Sequence, residues 1–272
     1  MLPFLLACLA ASVMANDAKG PHAVDPGVRD PDALWRLIRT CAAAAGKGVY
    51  PPAPCTEVAM PHGSADRYAV LKDRTGRYQY LVLPLDRIVG IESPALLATA
   101  APNYLADAWA ARLYVEAALH QRLPRDELSL VVNSAYGRSQ DQLHIHVDCI
   151  QPDVHDALQR MLPSMTAQWR PLPMPLPPHG HAYRAQWVDG QTLSINPFRS
   201  LADSLPAGDR MAGHSLIVVG AYSPSGQPGF ILLSGRVDAR GNDRGNGDDL
   251  QDVECAIANR RPASTDAATP SP

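Results

Sequence analysis

A proline-rich stretch near the middle of the sequence limits what this chain can fold into. Residues 170–178, RPLPMPLPP, contain five prolines. Proline has no amide hydrogen and a fixed φ, so the stretch is compatible neither with a helix nor with an inner strand. We therefore predict a stiff, extended connector at 170–178. It separates a first half, residues 30–169, from a second half, residues 179–257.

The first half combines helical and strand patterns. Asp30 and Pro31 precede apolar residues at helical spacing, as expected of a cap followed by a first-turn proline. The β-rich run at 68–84 surrounds a polar turn that contains Gly76, which is typical of a hairpin. The predicted elements are helices over about 31–45, from Asn103 to Pro124 and after Pro152, the hairpin at 68–84, and strands at LSLVVNS and LHIHVDCI.

The second half repeats part of this pattern. Residues 214–237 again form two β-rich runs around a Gly/Pro turn, and in order and length they resemble the 68–84 hairpin. We predict an α+β protein with an antiparallel sheet, flanking helices and two related halves, of which only the first contains the H-x-H strand. Residues 258–272 have too little apolar content to fold and are predicted to be a disordered tail.

Charge and the first residues restrict the partners and the compartment. The 24 Lys and Arg residues are balanced by 27 Asp and Glu residues and form no basic stripe, which argues against nucleic acid as a partner. Residues 1–15 have an apolar run followed by small residues, as in a signal peptide or an N-terminal anchor. The run is too short for a spanning helix, which needs roughly 20 apolar residues.

Apart from Cys8, the chain has four cysteines, an even number that suggests two disulfides in an exported protein. Cys41 and Cys55 flank a Gly/Pro-rich turn, so proximity favours a bond between them, which leaves Cys149 for Cys255. Four cysteines allow three pairings, and the sequence favours this one by proximity alone.

The stretch QDQLHIHVDC contains the strongest candidates for chemistry. On a strand, His144 and His146 share one face with Gln142 and Asp148, while the apolar residues between them enter the core. A solvated edge strand is the plainest interpretation of such a pattern. Metal binding is less favoured, because zinc needs three or four protein ligands and no spacing supplies the others. The third interpretation is an imidazole that attacks phosphorus, with its second nitrogen held by a carbonyl or carboxylate.

The motif NSAYGRSQDQLHIHVDC (133–149) resembles the active-site region of the histidine-triad superfamily. More closely, the chain is similar to the bacterial CDP-diacylglycerol pyrophosphatase family over about residues 35–256. The similarity rests on segments that occur in the family's order, namely CTEV (55–58), VLKD (70–73), QYLVLP (79–84), ESP (92–94) and the histidine strand with the PDV that follows it.

This resemblance implies a reaction and a location. A strand histidine would attack the CMP phosphorus of CDP-diacylglycerol, release phosphatidate and form a cytidylyl-histidine that water opens to CMP. No metal or other cofactor is implied. The substrate would be met at a membrane surface, on the periplasmic face of the inner membrane. The alternatives are a transferase or hydrolase for another nucleoside diphosphate compound and a non-catalytic periplasmic binding relative.

The resemblance also implies roles for individual residues. A gapless match through Asn133 and Gln140 makes His146 the nucleophile and His144 its helper, and this match is favoured. The other match, Q-φ-H-φ-H, puts Gln142 in the first position and makes His144 the nucleophile. The residues expected to contact the substrate are Asn133, Ser134, Arg138, Gln140, Gln142, Asp73 as a ribose ligand, and Lys72.

Overall fold

A single antiparallel sheet runs through the part of the chain that the structure describes. The structure is a computed structural model that describes residues 30–60 and 66–260, and the account below concerns the unit that begins at Pro31. The sheet order is β1-β2-β3-β5-β4-β8-β9-β7-β6. The strands are β1 (Glu57–Ala59), β2 (Tyr68–Lys72), β3 (Tyr80–Pro84), β4 (Leu128–Val132), β5 (Ile145–Cys149), β6 (Arg170–Pro171), β7 (Tyr183–Asp189), β8 (Leu216–Tyr222) and β9 (Pro228–Gly235).

Helices flank the sheet, as an α+β fold requires. The α-helices are α1 (Ala33–Gly46), α2 (Tyr104–Leu119), α3 (Pro152–Met161) and α4 (Pro197–Ser204). The first three confirm the predicted helices, but α1 begins later than its predicted cap implied: Asp32, not Asp30, is its N-cap, and it makes no side-chain capping bond within the described residues. The side chain of Asn103 caps α2 by accepting from the amide of Ala106 at 3.3 Å. The sequence analysis missed α4, a short helix whose cap is Asn196, with a 3.0 Å bond from the amide of Phe198. Six short 3₁₀ turns complete the described helical structure.

Strand alternation produces a separate apolar core on each face of the sheet. Ala69 and Leu71 of β2 belong to the core that includes Ile38 of α1. Val70, which lies between them, belongs to the larger core that includes Leu105 of α2. Successive side chains of a strand point to opposite faces, so one strand supplies both cores. Both hairpins, 68–84 and 214–237, and both predicted strands around 128–150 are confirmed.

Most of the proline-rich connector lies outside the strands of the sheet. Only Arg170 and Pro171 join the sheet, as the outermost strand β6 paired with β7, which is where a sheet tolerates proline. The central pair is β4 with β8, so one continuous sheet spans both sides of the connector.

Both ends of the chain include residues that the structure does not describe. The predicted signal peptide or anchor at 1–15 lies outside the described residues, as does 261–272 of the predicted tail. Residues 258–260 complete a 3₁₀ helix, Ala256–Arg260, in which Ala258 is buried. The ordered chain therefore extends at least to Arg260, past the predicted start of the tail. Within residues 30–60 and 66–260, no helix combines the length and the apolar character needed to cross a bilayer.

Two disulfides join the cysteines as proximity suggested. Cys41 of α1 is bonded to Cys55, 14 residues further on, and Cys149 of β5 is bonded to Cys255, 106 residues further on. The second bond ties the end of the second half to the strand of the histidines.

Candidate active site

The two histidines lie at the start of β5, between β3 and β4. His146 is paired with Leu81 of β3 and with Val131 of β4. The rings of His144 and His146 are 5.0 Å apart, on the face opposite to Val147, which packs in the core of α2. The predicted polar row is therefore present, but most of it is buried: His144 is 8% exposed and Asp148 0%, while His146 is partly exposed. A solvated edge strand is excluded, because β5 is an inner strand.

The imidazole of His144 is held in one tautomer. Its Nδ1 lies 2.7 Å from the backbone carbonyl oxygen of Gln142. A carbonyl only accepts, so Nδ1 carries the proton and Nε2 keeps its lone pair. Within the described residues, Nε2 has no hydrogen-bond partner. Burial lowers the pKa of His144 to about 4, helped by the neighbouring His146. His144 is therefore a neutral imidazole with a free, unprotonated nitrogen at physiological pH.

His146 is oriented by a chain of two glutamine side chains. Nε2 of Gln251 donates to the carbonyl and hydroxyl oxygens of Ser129, at 3.1 and 3.0 Å. Its Oε1 therefore accepts from Nε2 of Gln79 at 3.4 Å, and Oε1 of Gln79 faces Nδ1 of His146 at 3.2 Å.

This chain makes Nδ1 of His146 the donor, as in His144, so the lone pair again lies on Nε2. In the described part of the protein, Nε2 of His146 is buried without a partner. Burial lowers the pKa of His146 as well, although the charges of Asp248 and Asp73 oppose the shift.

Asp148, the next residue on this face, has a carboxyl group that is almost completely shielded from solvent. Oδ1 accepts from the amide of Cys149 at 2.8 Å, and the side chain of Gln79 lies close enough to the carboxyl group to act on it as well. Burial raises the pKa of Asp148 to about 7. Close to neutral pH, a large fraction of Asp148 is thus uncharged, which lessens its repulsion of an anionic substrate.

A segment from the second half covers this face of the first half. Oδ1 of Asn133 accepts from the amides of Gly247 and Asp248, at 2.7 and 3.3 Å. The hydroxyl of Ser134 donates to the carbonyl of Arg244 at 2.5 Å. We call residues 243–251 the covering segment. It brings Gln251 to the histidines and Asp248 near His146.

The cleft beside His144 is narrow and its arginine is already paired. It is lined by Gly90, Val132, Asn133, Arg138, Gln142, Leu143 and His144. The guanidinium of Arg138 forms a bidentate salt bridge with the carboxylate of Glu92, at 2.7 and 2.8 Å, and donates to Oδ1 of Asp141 at 3.1 Å. A Cβ at Gly90 would lie 2.5 Å from the guanidinium, so a larger residue here would displace Arg138. Two carboxylates offset the charge of Arg138, so it contributes little net positive charge.

Only some of the expected substrate contacts adjoin the histidines. Asn133, Arg138 and Gln142 line the cleft with His144, and Gln142 is fixed by bonds from its Nε2 to the carbonyls of Pro84 and Asp86. Oε1 of Gln140 instead accepts from the amide of Leu34 at the start of α1.

Lys72 and Asp73 are engaged within the β2–β3 turn. The Lys72 amine donates to the carbonyls of Asp73 and Gly76, and Oδ1 of Asp73 accepts from the amide of Arg74. Both side chains thus hold the turn, and they also lie near the histidine strand, because the charge of Asp73 acts on His144 and His146 and that of Lys72 acts on Asp148.

Sequence reasoning did not single out Gln79, Glu92 and Gln251. Gln79 and Glu92 begin the QYLVLP and ESP segments that supported the family resemblance, which was the available signal. Gln251 is 172 residues from Gln79, and no local pattern connects the two. Among the described residues, no group of three or more His, Cys, Asp or Glu side chains has the arrangement of a metal site.

Comparison with known proteins supplies the family. The family model described as CDP-diacylglycerol pyrophosphatase matches residues 29–259. A protein of Yersinia pestis named CDP-diacylglycerol pyrophosphatase is 39% identical over 227 residues, which cover 83% of this chain and 84% of that protein. Every histidine and glutamine described above lies within the matched range.

Proposed function

Because this chain belongs to the CDP-diacylglycerol pyrophosphatase family, we propose that it hydrolyses the pyrophosphate bond of CDP-diacylglycerol to CMP and phosphatidate. The observation that carries the mechanism is the fixed tautomer of His144. A histidine that attacks phosphorus needs an unprotonated nitrogen and a partner for the other one. His144 has both, in a cleft lined by polar side chains.

In the proposed first step, Nε2 of His144 attacks the CMP phosphorus. A nitrogen–phosphorus bond forms, and the bond from that phosphorus to the bridging oxygen breaks with release of phosphatidate. The imidazole becomes positively charged, and the Gln142 carbonyl stabilises this charge through Nδ1–H. Water then attacks phosphorus, the nitrogen–phosphorus bond breaks, and CMP leaves with neutral His144 restored.

His146 is proposed as the helper. Its ring lies 5.0 Å from that of His144, and the glutamine chain orients it. Nε2 of His146 is buried without a partner in the described chain, so an O–H donor such as the water that opens the intermediate would satisfy it. This assignment corresponds to the Q-φ-H-φ-H match, with Gln142 in the first position. It differs from the match favoured by the sequence, because the carbonyl bond to Nδ1 is made by His144.

The nearby polar groups are proposed to hold the phosphates. Oδ1 of Asn133 is occupied by the covering segment, so its Nδ2 is the atom available to donate to a phosphate oxygen. Arg138 acts through its ion pairs mainly to shape the cleft. Phosphoryl transfer depends largely on positioning and charge stabilisation, for which fixed donors suffice.

The fold is proposed to consist of two histidine-triad-like halves. From the central β4–β8 pair, the sheet continues as β5-β3-β2 on one side and as β9-β7-β6 on the other. The chain order β3-α2-β4-β5 is matched by β7-α4-β8-β9. In this match β9 is the counterpart of β5, and it contains no histidine. Only the first half is therefore catalytic.

The two disulfides support an oxidising compartment, since such bonds are rare in the cytosol. With a lipid nucleotide as substrate, we place the reaction at the periplasmic face of the inner membrane.

Incubation with CDP-diacylglycerol labelled in its CMP phosphate tests the reaction. Equimolar CMP and phosphatidate are expected, and transfer of CMP to another acceptor would indicate a nucleotidyl transferase instead. Absence of any released CMP would contradict the proposed function.

Samples of the same reaction quenched in alkaline denaturant, in which a nitrogen–phosphorus bond survives, test the nucleophile. The label is expected on the peptide that contains His144, and it should be absent from His144→Ala. Mass spectrometry of the labelled peptide distinguishes His144 from His146. A label on His146 would overturn the assignment of the nucleophile while leaving the reaction intact.

A further inference from the structure

A pocket rich in arginine lies at the C-terminal end of α2, away from the histidines. Its volume is about 240 Å³, and its lining includes Trp109, Arg112, Glu116, Arg122, Arg125 and Tyr222. Trp109 packs over Gly220 and against Phe230, on the Val147 face of the sheet. His144 and His146 occupy the other face, so this pocket is separate from the cleft.

Positive charge exceeds negative charge in this pocket. Glu116 is paired with Arg122 at 2.7 Å. In the described chain, no carboxylate forms an ion pair with Arg112 or Arg125, which donate to the carbonyls of Trp109 and Gly190 and to Oε1 of Gln191. Asp126 adjoins Arg125 in sequence, but its carboxylate is bonded to His155 and Gln159.

Burial makes the excess charge costly. Arg125 is only 9% exposed, and its Nε has no partner within the described residues. The rings of Phe230 and Trp109 lie 4.6 and 5.5 Å from its guanidinium carbon. Such contacts stabilise a buried cation by less than the loss of its hydration costs.

The pKa values of the two unpaired arginines are also lowered. Burial lowers the pKa of Arg112, and the charge of Glu116 opposes this shift. Burial also lowers the pKa of Arg125; the charge of Arg112 adds to that shift, while Tyr222 and Asp126 oppose it. Both arginines remain charged, and Glu116, the carboxylate in the lining, is already paired with Arg122.

We propose that this pocket binds a phosphate group. Guanidinium groups match phosphate oxygens with paired, charge-assisted hydrogen bonds, and a phosphate near −2 would neutralise the two unpaired arginines. Arg125 forms the floor, and Arg122, whose side chain is 82% exposed, lies at the rim. The phosphate comes either from the free ion or from a lipid head group.

Equilibrium dialysis with labelled inorganic phosphate tests the first source. The variants are Arg112→Gln and, as a control with the same loss of charge, Arg160→Gln, an exposed residue of α3. Arg112→Gln is expected to bind phosphate at least about tenfold more weakly than wild type, because it loses charge-assisted hydrogen bonds. Arg160→Gln is expected to bind as wild type does.

Sedimentation with vesicles tests the second source. Vesicles of phosphatidylcholine, with and without phosphatidate, are compared for the same three proteins. If only phosphatidate vesicles bind, and Arg112→Gln weakens that binding while Arg160→Gln does not, the ligand is a lipid phosphate.

If Arg112→Gln and Arg160→Gln behave alike with both probes, the proposal is overturned. Arg122→Gln, a change at an exposed side chain, is the second variant should Arg112→Gln lose its native circular dichroism.

Discussion

At the scale of single residues, burial determines the chemistry of the histidine strand. His144 and Asp148 lie on the same face, and the low polarity around them moves both pKa values toward the uncharged form. For His144 the shift keeps the lone pair available. For Asp148 it removes a negative charge from the neighbourhood of a phosphate. Neither effect is visible in the residue types alone.

The pH dependence of hydrolysis follows from His144. Its pKa is lowered from 6.5 to about 4, and the attacking form is the neutral one. We expect kcat/KM to persist below pH 6 and to fall only as the pH approaches about 4. A pH–rate profile measures this, and an acid limb centred near 6.5 would contradict it. The melting temperature at each pH is the control, because the same shift destabilises the fold as the pH falls from 6.5 toward 4.

The stability of Asp148→Asn should depend on pH. The folded protein retains the Asp148 proton up to about pH 7, against 3.8 for an ordinary carboxyl group. The wild type therefore loses stability as the pH rises between these values, and the uncharged Asn does not. We expect Asp148→Asn to be more stable at pH 8 by on the order of 2 kcal/mol, and near wild type at pH 4. Denaturant unfolding measures this, with Asp203→Asn at an exposed position as the control for loss of a carboxylate, and the same pH dependence in both variants would contradict the prediction.

At the scale of elements, the covering segment completes the site on β5. Gln251 comes from this segment, Gln79 from the residue before β3, and His146 from β5, and their side chains form one hydrogen-bonded chain. Each link joins elements that are distant in sequence. The orientation of His146 therefore depends on how the elements pack, and β5 alone does not determine it.

Replacement of Gln79 by Leu tests this chain. The variant removes the acceptor for Nδ1 of His146 but leaves the His144 bond to Gln142 intact. We expect kcat to fall by about 10- to 100-fold with little change in KM, because the helper is misoriented and substrate binding is not.

Gln227→Leu, at an exposed position in the β8–β9 turn, is the matched control. An equal loss in both variants, or a Gln79→Leu effect confined to KM, would argue against an orienting role.

At the scale of the whole molecule, the second half contributes to a site whose histidines belong to the first. The β4–β8 pair joins the halves into one sheet, and the covering segment returns across it to Asn133 and Gln79. The Cys149–Cys255 bond secures this return within a few residues of Gln251.

The two disulfides should therefore differ in their effect on activity. Each closes a loop, of 14 residues for Cys41–Cys55 and 106 for Cys149–Cys255, and loss of either should cost about 2–5 kcal/mol of stability. We expect Cys149→Ala/Cys255→Ala to lower kcat as well, because the covering segment loses its anchor.

Cys41→Ala/Cys55→Ala should keep kcat near that of wild type where it remains folded. Thermal unfolding and steady-state kinetics on both double variants measure the difference. Equal kcat values in the two double variants would show that catalysis does not depend on the anchoring of the covering segment.

The sequence by itself determined the local elements and the face on which the histidines lie. Helical spacing after Asp30 and Asn103, turn residues in the hairpins and the two-residue period of β5 are local properties, and the structure agrees with them. Family membership also came from local segments, since matched motifs need no three-dimensional information.

Only the tertiary structure decided the burial of His144, the partner of each imidazole nitrogen and the excess of charge around Arg112 and Arg125. These depend on groups brought together from distant parts of the chain, such as Gln79 and Gln251, 172 residues apart. A pKa or a tautomer is set by the solvent and partners around a side chain, and those exist only once the sheet, the helices and the covering segment have packed.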